Sequence, residues 1–264
     1  MTERDRTQHA PLVLVTNDDG IASPGLVALA HELEERGIAV LVAAPATDMS
    51  GSAAAIGPVD PRVPARDVAI DGLEGAAYEV DAPPAMIVVA AHNGAFGAVP
   101  TAVASGVNAG VNIGRAILHS GTVGAALTGQ NLGLPSIAVS VQTGGRFDVA
   151  AKVGVDVFQQ LLWQDSARLA NVNVPKNANG HSEPVPTKLA HFGAVTAAMV
   201  GNELNFQLTI DPAALDQPGT DGAAIRAGQV SVTWLKGFAG AQESEADVSL
   251  RAVAPGGPAG AAAE

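Results

Sequence analysis

Two short and wholly apolar runs, PLVLVT (11–16) and IAVLVAAP (38–45), flank one helix-length segment, and this pattern constrains the fold more than any other. Runs of that length without polar alternation fit strands buried on both faces. The segment between them repeats Leu26, Leu29, Ala30 and Leu33 on one face. Ser23 is placed to cap it, Pro24 suits its first turn, and Gly37 ends it. Strand, helix and strand in that order form a βαβ unit, whose strands run parallel and whose crossover is right-handed. The chain is therefore read as an α/β layered protein.

The alternation continues. A helix is expected over 84–93, a strand over 101–110 running into a glycine-rich loop, and a helix over 121–132 capped by Ser120 and stopped by Gly133. A strand over 135–142, a helix over 148–163 with Ala150, Val153, Val157 and Leu161 on one stripe, and a strand over 167–175 complete the series. Residues 46–82 are less regular, with strand-like pieces near 66–70 and 77–80. Beyond Pro175 the texture changes. KNANGHSEPVP has loop composition, 187–210 reads as strands, and GQVSVTWLKG (228–237) as one more. The expected organisation is a disordered N-terminus at 1–10, a main domain at 11–175, a β-rich extension at 176–250, and a low-complexity disordered tail at 251–264.

Composition narrows the function classes. The net charge of −12 opposes binding of a nucleic-acid polymer, though not of a small phosphate ester beside a bound cation. With no cysteine there are no disulfides, thiolate metal sites or cysteine nucleophiles, which fits a reducing compartment. The first ten residues, MTERDRTQHA, hold no signal-like apolar core, and no apolar run reaches membrane-spanning length. A soluble, cytoplasmic protein without membrane or nucleic-acid partners is expected.

In an open parallel sheet the ligand site lies beyond the carboxyl ends of the strands. Three loops meet that condition: 17–23, 46–57 and 106–120. They carry Asp18 and Asp19, Ser50, and Asn108 with Asn112. Carboxylate, hydroxyl and amide oxygens together suit a hard cation such as magnesium or manganese. Each loop alone is also ordinary turn chemistry, and SGVNAGVNIG matches neither the Walker pattern nor the dinucleotide fingerprint. Adjacent aspartates do not fit the spaced pair of haloacid-dehalogenase phosphatases. The later loops lack the phospho-accepting Asp and the Lys of a receiver domain.

LVTNDDGIASPG, VAAPATDMSG, SGVNAGVNIGRAILHSGTVGAALTG and GLPSIAVS, spread over residues 12–141, resemble the survival protein E family of metal-dependent 5'- and 3'-nucleotidases. The resemblance implies a Rossmann-like three-layer sandwich with a C-terminal extension used in oligomerisation, as a homodimer or homotetramer. It implies one divalent cation per subunit held by Asp18, Asp19, Ser50 and Asn108. Gly51, Asn112, Ser120, Gly121 and Thr122 would line the phosphate pocket. The chain departs from the family pattern at Ala46, Ala85 and Ala116, where aspartates are usual, at Met49, where a basic residue is common, and at Thr128, where a glutamate is usual. A divergent member is therefore expected.

The expected activity is divalent-dependent hydrolysis of nucleoside monophosphates or similar small esters, with water as nucleophile and Asp18 or Asp19 positioning or deprotonating it. The N-terminus of the helix at Ser120–Thr122 would hold the other phosphate oxygens. The alternative is a protein that binds the cation and a phosphorylated ligand without turnover. A plain scaffold with a polar turn at 17–20 is the third reading. Phe96, His92 and His119 are open candidates for contact with the rest of the substrate.

Overall fold

The computed structural model describes residues 11–57, 62–162, 168–191, 194–209 and 216–237. The segments 1–10 and 251–264, expected to be disordered, lie outside the described residues, as do parts of 176–250.

The chain forms β1 (Leu12–Thr16), α1 (Pro24–Glu35), β2 (Ala39–Pro45), β3 (Ala65–Val68), β4 (Ala77–Val80), α2 (Pro84–His92) and β5 (Ala102–Asn108). A 3₁₀ helix (Gly114–His119) then leads into α3 (Gly121–Asn131), β6 (Ser136–Val141), α4 (Phe147–Leu162) and β7 (Leu169–Val174). The remaining elements are β8 (Pro184–Thr187), β9 (Ala194–Val200), β10 (Glu203–Thr209), α5 (Asp221–Arg226) and β11 (Val230–Leu235).

Nine strands form one sheet in the order β3-β4-β2-β1-β5-β6-β7-β11-β8, and β9 and β10 pair as a separate antiparallel hairpin. The six strands from β4 to β7 are mutually parallel. Within this sheet, among the described residues, antiparallel pairing occurs at the flanks of that block, β3 on β4 and β11 on β7. This is the expected mostly parallel α/β sheet. Since β2 and β5 lie on opposite sides of β1, the strand order reverses at β1, and in an open α/β sheet the carboxyl ends at such a reversal are where ligands bind.

Why the strands lack alternation is visible in β1. Val13 and Val15 enter one core with Leu26, Leu29 and Leu33 of α1 and Phe158 of α4, whereas Leu14 enters the other with Ile87 and Val88 of α2 and Ala125 of α3. The three layers follow from that: α1 and α4 cover one face, α2 and α3 the other.

The structure corrects several expectations. Ser23 occupies the capping position of α1 but makes no side-chain cap bond, so Pro24 in the first turn sets the start of that helix. The loop-like stretch 176–186 runs into β8, whose Pro184 and Pro186 are tolerated because β8 is the outermost strand. The short helix α5 carries too few residues to show a period; Thr220 caps it by accepting from the Ala223 N–H.

One irregularity aims the site. The β5–β6 register shifts between Ser105 and Asn108, and Gly106 there has φ +132°, with its missing Cβ only 2.3 Å from the Val139 carbonyl oxygen. Only glycine fits, and the bulge decides how Asn108 leaves the sheet.

Leu29 is 1% exposed and packs α1 onto the sheet. Leu29→Ala is expected to lower unfolding free energy by about 2–5 kcal/mol, measured by urea denaturation, with the divalent-ion response of the folded protein unchanged.

Candidate active site

β1 ends at Thr16, and the next four residues close a tight turn. Asn17 accepts from the Gly20 N–H at 3.2 Å and donates to the Gly20 carbonyl at 3.0 Å. Asn17 thereby does the turn chemistry, which leaves both neighbouring aspartates for another purpose.

Asp18 is 3% exposed and points at the start of α3. Thr122 Oγ1 donates to its Oδ1 at 2.5 Å, and the backbone N–H groups of Thr122 and Gly121 also favour the charged form. Burial outweighs them and raises the Asp18 pKa. The fit is close: a Cβ on Gly121 would sit 2.7 Å from Asp18 Oδ2 and 2.7 Å from Ser52 Oγ. Gly121 therefore lets the helix end touch the acid.

Asp19 is pushed up to about 6, first by burial, then by the charge of Asp18, and less by Asp48, against a hydrogen bond from the Ala109 N–H. Its Oδ2 is buried with no hydrogen-bond partner among the described residues, and so is Ser52 Oγ. A buried carboxylate oxygen without a donor costs on the order of 1–3 kcal/mol or more. It is the kind of vacancy in hydrogen bonding that a cation satisfies.

The 46–57 loop comes to this edge through the Met49 N–H, which donates to the Asp18 carbonyl at 2.7 Å. Ser50 is exposed and hydrogen-bonded to Asp48, its backbone N–H donating to Oδ1 at 2.8 Å; its hydroxyl also bonds that carboxylate and holds it below the usual range. Gly51 beside it makes an open turn at φ +81°.

Asn108 ends β5, one residue before the Ala109 N–H that bonds Asp19. Its amide nitrogen donates to the Gly110 carbonyl at 2.7 Å, leaving the amide oxygen as the acceptor end. Asn112 is fixed further along: its side-chain nitrogen donates to Ser140 Oγ at 2.8 Å, and Ser140 lies opposite Asn108 in the sheet register. Ser120 is buried and its hydroxyl accepts from the Val123 N–H, so it caps α3.

These contacts join Asp18, Asp19, Gly121 and Thr122 with Ser52, Ala109 and the Met49 amide. Ser50, Gly51, Asn108 and Asn112 lie on the same loops, and Ser120 makes a cap. Sequence reasoning passed over Asp48, Ser52 and the asparagines of β7. Two asparagines two residues apart in an otherwise apolar strand were the available signal, because they share one buried face.

Among the described residues no helix is long and apolar enough to cross a membrane. Residues 13–199 match the family model for survival protein SurE. Relatives from Histophilus somni (strain 2336) and Marinobacter nauticus, each bearing the name 5'-nucleotidase SurE, are 34% identical over 231 residues and 36% over 234. Each alignment covers 84% of this chain, with 90% and 88% of the relative. The crystal structure of the SurE protein from Aquifex aeolicus superposes with a TM-score of 0.70 at 30% identity, over 85% of this chain and 93% of that one. With the same sheet, the same site segments inside the matched region and relatives aligned over most of their length, the chain belongs to the survival protein SurE family.

Proposed function

We propose that this chain is a divalent-cation-dependent phosphomonoester hydrolase acting on nucleoside monophosphates or similar small phosphate esters. The observation that carries the reading is the buried, unpartnered Asp19 Oδ2 beside a second carboxylate at the point where strand order reverses. The relatives' name, 5'-nucleotidase, supports the substrate class. A cytoplasmic location and a homodimer or homotetramer built through residues 176–250 belong to the same proposal.

The donor set fits a hard cation. Asp18, Asp19, Ser50 and Asn108 would hold one magnesium or manganese ion, since all four offer oxygen, the donor a hard cation prefers. When bound, such an ion supplies Lewis-acid polarisation of a phosphoryl oxygen and makes water a better nucleophile near neutral pH.

The chain's own residues do the rest. Thr122 and the amides at the start of α3 fix Asp18, so its carboxylate keeps one orientation. Asp19, bonded by the Ala109 N–H, would turn its unpartnered Oδ2 to the ion, and one carboxylate of the pair would take the proton of the attacking water, whose oxygen displaces the alcohol from phosphorus. Gly51, Asn112 and the Ser120–Thr122 step would line the phosphate pocket, with the positive end of α3 stabilising the charge that develops on its oxygens. Relative to the family pattern, Ala46, Met49, Ala85, Ala116 and Thr128 each lack a charged group. Thr128 now bonds the Gly124 carbonyl inside α3, and Ala85 is buried in α2. Where one of the missing carboxylates would orient a metal ligand, its loss lowers metal affinity or turnover by about 10- to 100-fold.

The raised Asp19 pKa has a thermodynamic sign. Its folded value of about 6 exceeds the ordinary 3.8, so between those limits the folded chain binds more protons than the unfolded one, and stability falls as pH rises through the window. In chelator, Asp19→Asn should therefore raise the thermal midpoint above wild type at pH 7.5, and the gap should shrink at pH 5. A gap that does not change with pH would contradict the assignment.

A panel of mononucleotides and simple phosphate esters, each assayed with magnesium, manganese or chelator, tests the function. Phosphate release from at least one mononucleotide is expected with a divalent ion and not with chelator. Asp19→Asn should reduce that release by more than about 100-fold, beyond the usual effect of losing a group outside the ligand sphere. A metal-dependent thermal shift with nucleotide and no product would establish the binding-only alternative, and equal release in chelator would refute the proposal.

A further inference from the structure

The segment 109–119 joins the two halves of the site. At its near end the Ala109 N–H bonds Asp19, and just beyond its far end Gly121 and Thr122 bond Asp18. Neither carboxylate holds the middle of the segment. That is done by polar side chains of β7 and of the start of α5, all of them fully buried.

Asn112 is gripped at both backbone groups by β7. Its N–H donates to Asn173 Oδ1 at 2.7 Å, and its carbonyl accepts from Asn173 Nδ2 and from Asn171 Nδ2, each at 2.9 Å. Two residues on, the Gly114 N–H donates to Asp221 Oδ2 at 2.8 Å. The other oxygen of Asp221 accepts from the Ala190 and Gly222 N–H groups at 2.9 and 2.8 Å, which ties the segment to the C-terminal part of the chain.

Stability alone does not explain this arrangement. Asn171 Oδ1 is buried with no hydrogen-bond partner among the described residues, and burial raises the pKa of Asp221 despite its backbone amide donors. Half-satisfied amides and desolvated carboxylates in a core are less favourable than apolar side chains of similar size. What these residues do provide is a fixed backbone, because an asparagine that accepts from the N–H and donates to the carbonyl of one residue holds the peptide planes on both sides of it.

We propose that Asn171, Asn173 and Asp221 are positioning residues for the hydrolysis. They pin residues 112 and 114 so that both ends of the 109–119 segment meet the two carboxylates. The inference rests on the functional reading above: it assigns no contact with substrate to these residues and acts only through Asn108, Asn112 and the start of α3. It also gives the C-terminal segment, through Asp221, a part in the site of the same chain.

The test compares Asn173→Ala, Asp221→Asn and a control, Arg36→Ala, which breaks the Arg36 bridges to Glu32 of α1 and to Asp156 of α4. For each, kcat, KM and the manganese concentration for half activity are measured on the mononucleotide that wild type hydrolyses fastest, together with the thermal midpoint. Both site variants should lose about 10- to 100-fold in kcat and need more manganese, as for groups that orient metal ligands. KM should stay within about threefold, the signature of an interaction realised in the transition state. The control should lose stability and keep kcat.

Where Asn173→Ala does not fold, Asn173→Asp serves. It keeps an acceptor for the Asn112 N–H, loses the donor to the Asn112 carbonyl, and should show the same loss in smaller measure. An active wild type with folded site variants whose kcat stays within about twofold overturns the inference alone. A wild type that releases no phosphate with any divalent ion overturns the functional reading and this inference with it.

Discussion

Two adjacent carboxylates, both drawn out of water at the end of one strand, are the constraint on which the rest of the site depends. Burial raises both pKa values, and the charge of Asp18 helps to push Asp19 up to about 6. Asp18 is compensated by Thr122 and the first amides of α3, whereas Asp19 has one amide and a bare oxygen. A fold that retains such a pair needs positive charge from elsewhere. The helix end supplies part of it, and a divalent cation is the natural source of the remainder.

The sheet brings the parts together by topology rather than by chain proximity. Because β1 lies between β2 and β5, the loops that follow these three strands leave the same edge, and one hydrogen bond from Thr122 to Asp18 spans 104 positions of sequence. Behind that edge the β5 bulge at Gly106 and the asparagines of β7 set the course of the chain between the carboxylates. The antiparallel β11 beside β7 and the buried Asp221 extend this support into the C-terminal part.

The fold was legible where burial imposes a period. Apolar runs such as PLVLVT gave the parallel strands, because residues facing both cores leave no alternation, and Leu26, Leu29 and Leu33 gave α1. It was less legible where one or two contacts decide. The proline-containing β8 forms only because an edge position is open to it, and the six-residue α5 depends on Thr220 and a fixed neighbour. In the site, the adjacent acids and Thr122 stood out in sequence as a motif. Ser52 and the Asn171–Asn173 pair did not, since their meaning lies in what they face, and one strand of sequence does not reveal that.

The most direct measurement of the central claim is anomalous diffraction from a crystal of this protein soaked in manganese. One peak should appear between Asp18 and Asp19, with the Asn108 amide oxygen and the Ser50 hydroxyl turned toward it. A well-ordered site with no peak there, or with Asp19 Oδ2 bonded to a protein donor instead, would contradict the account.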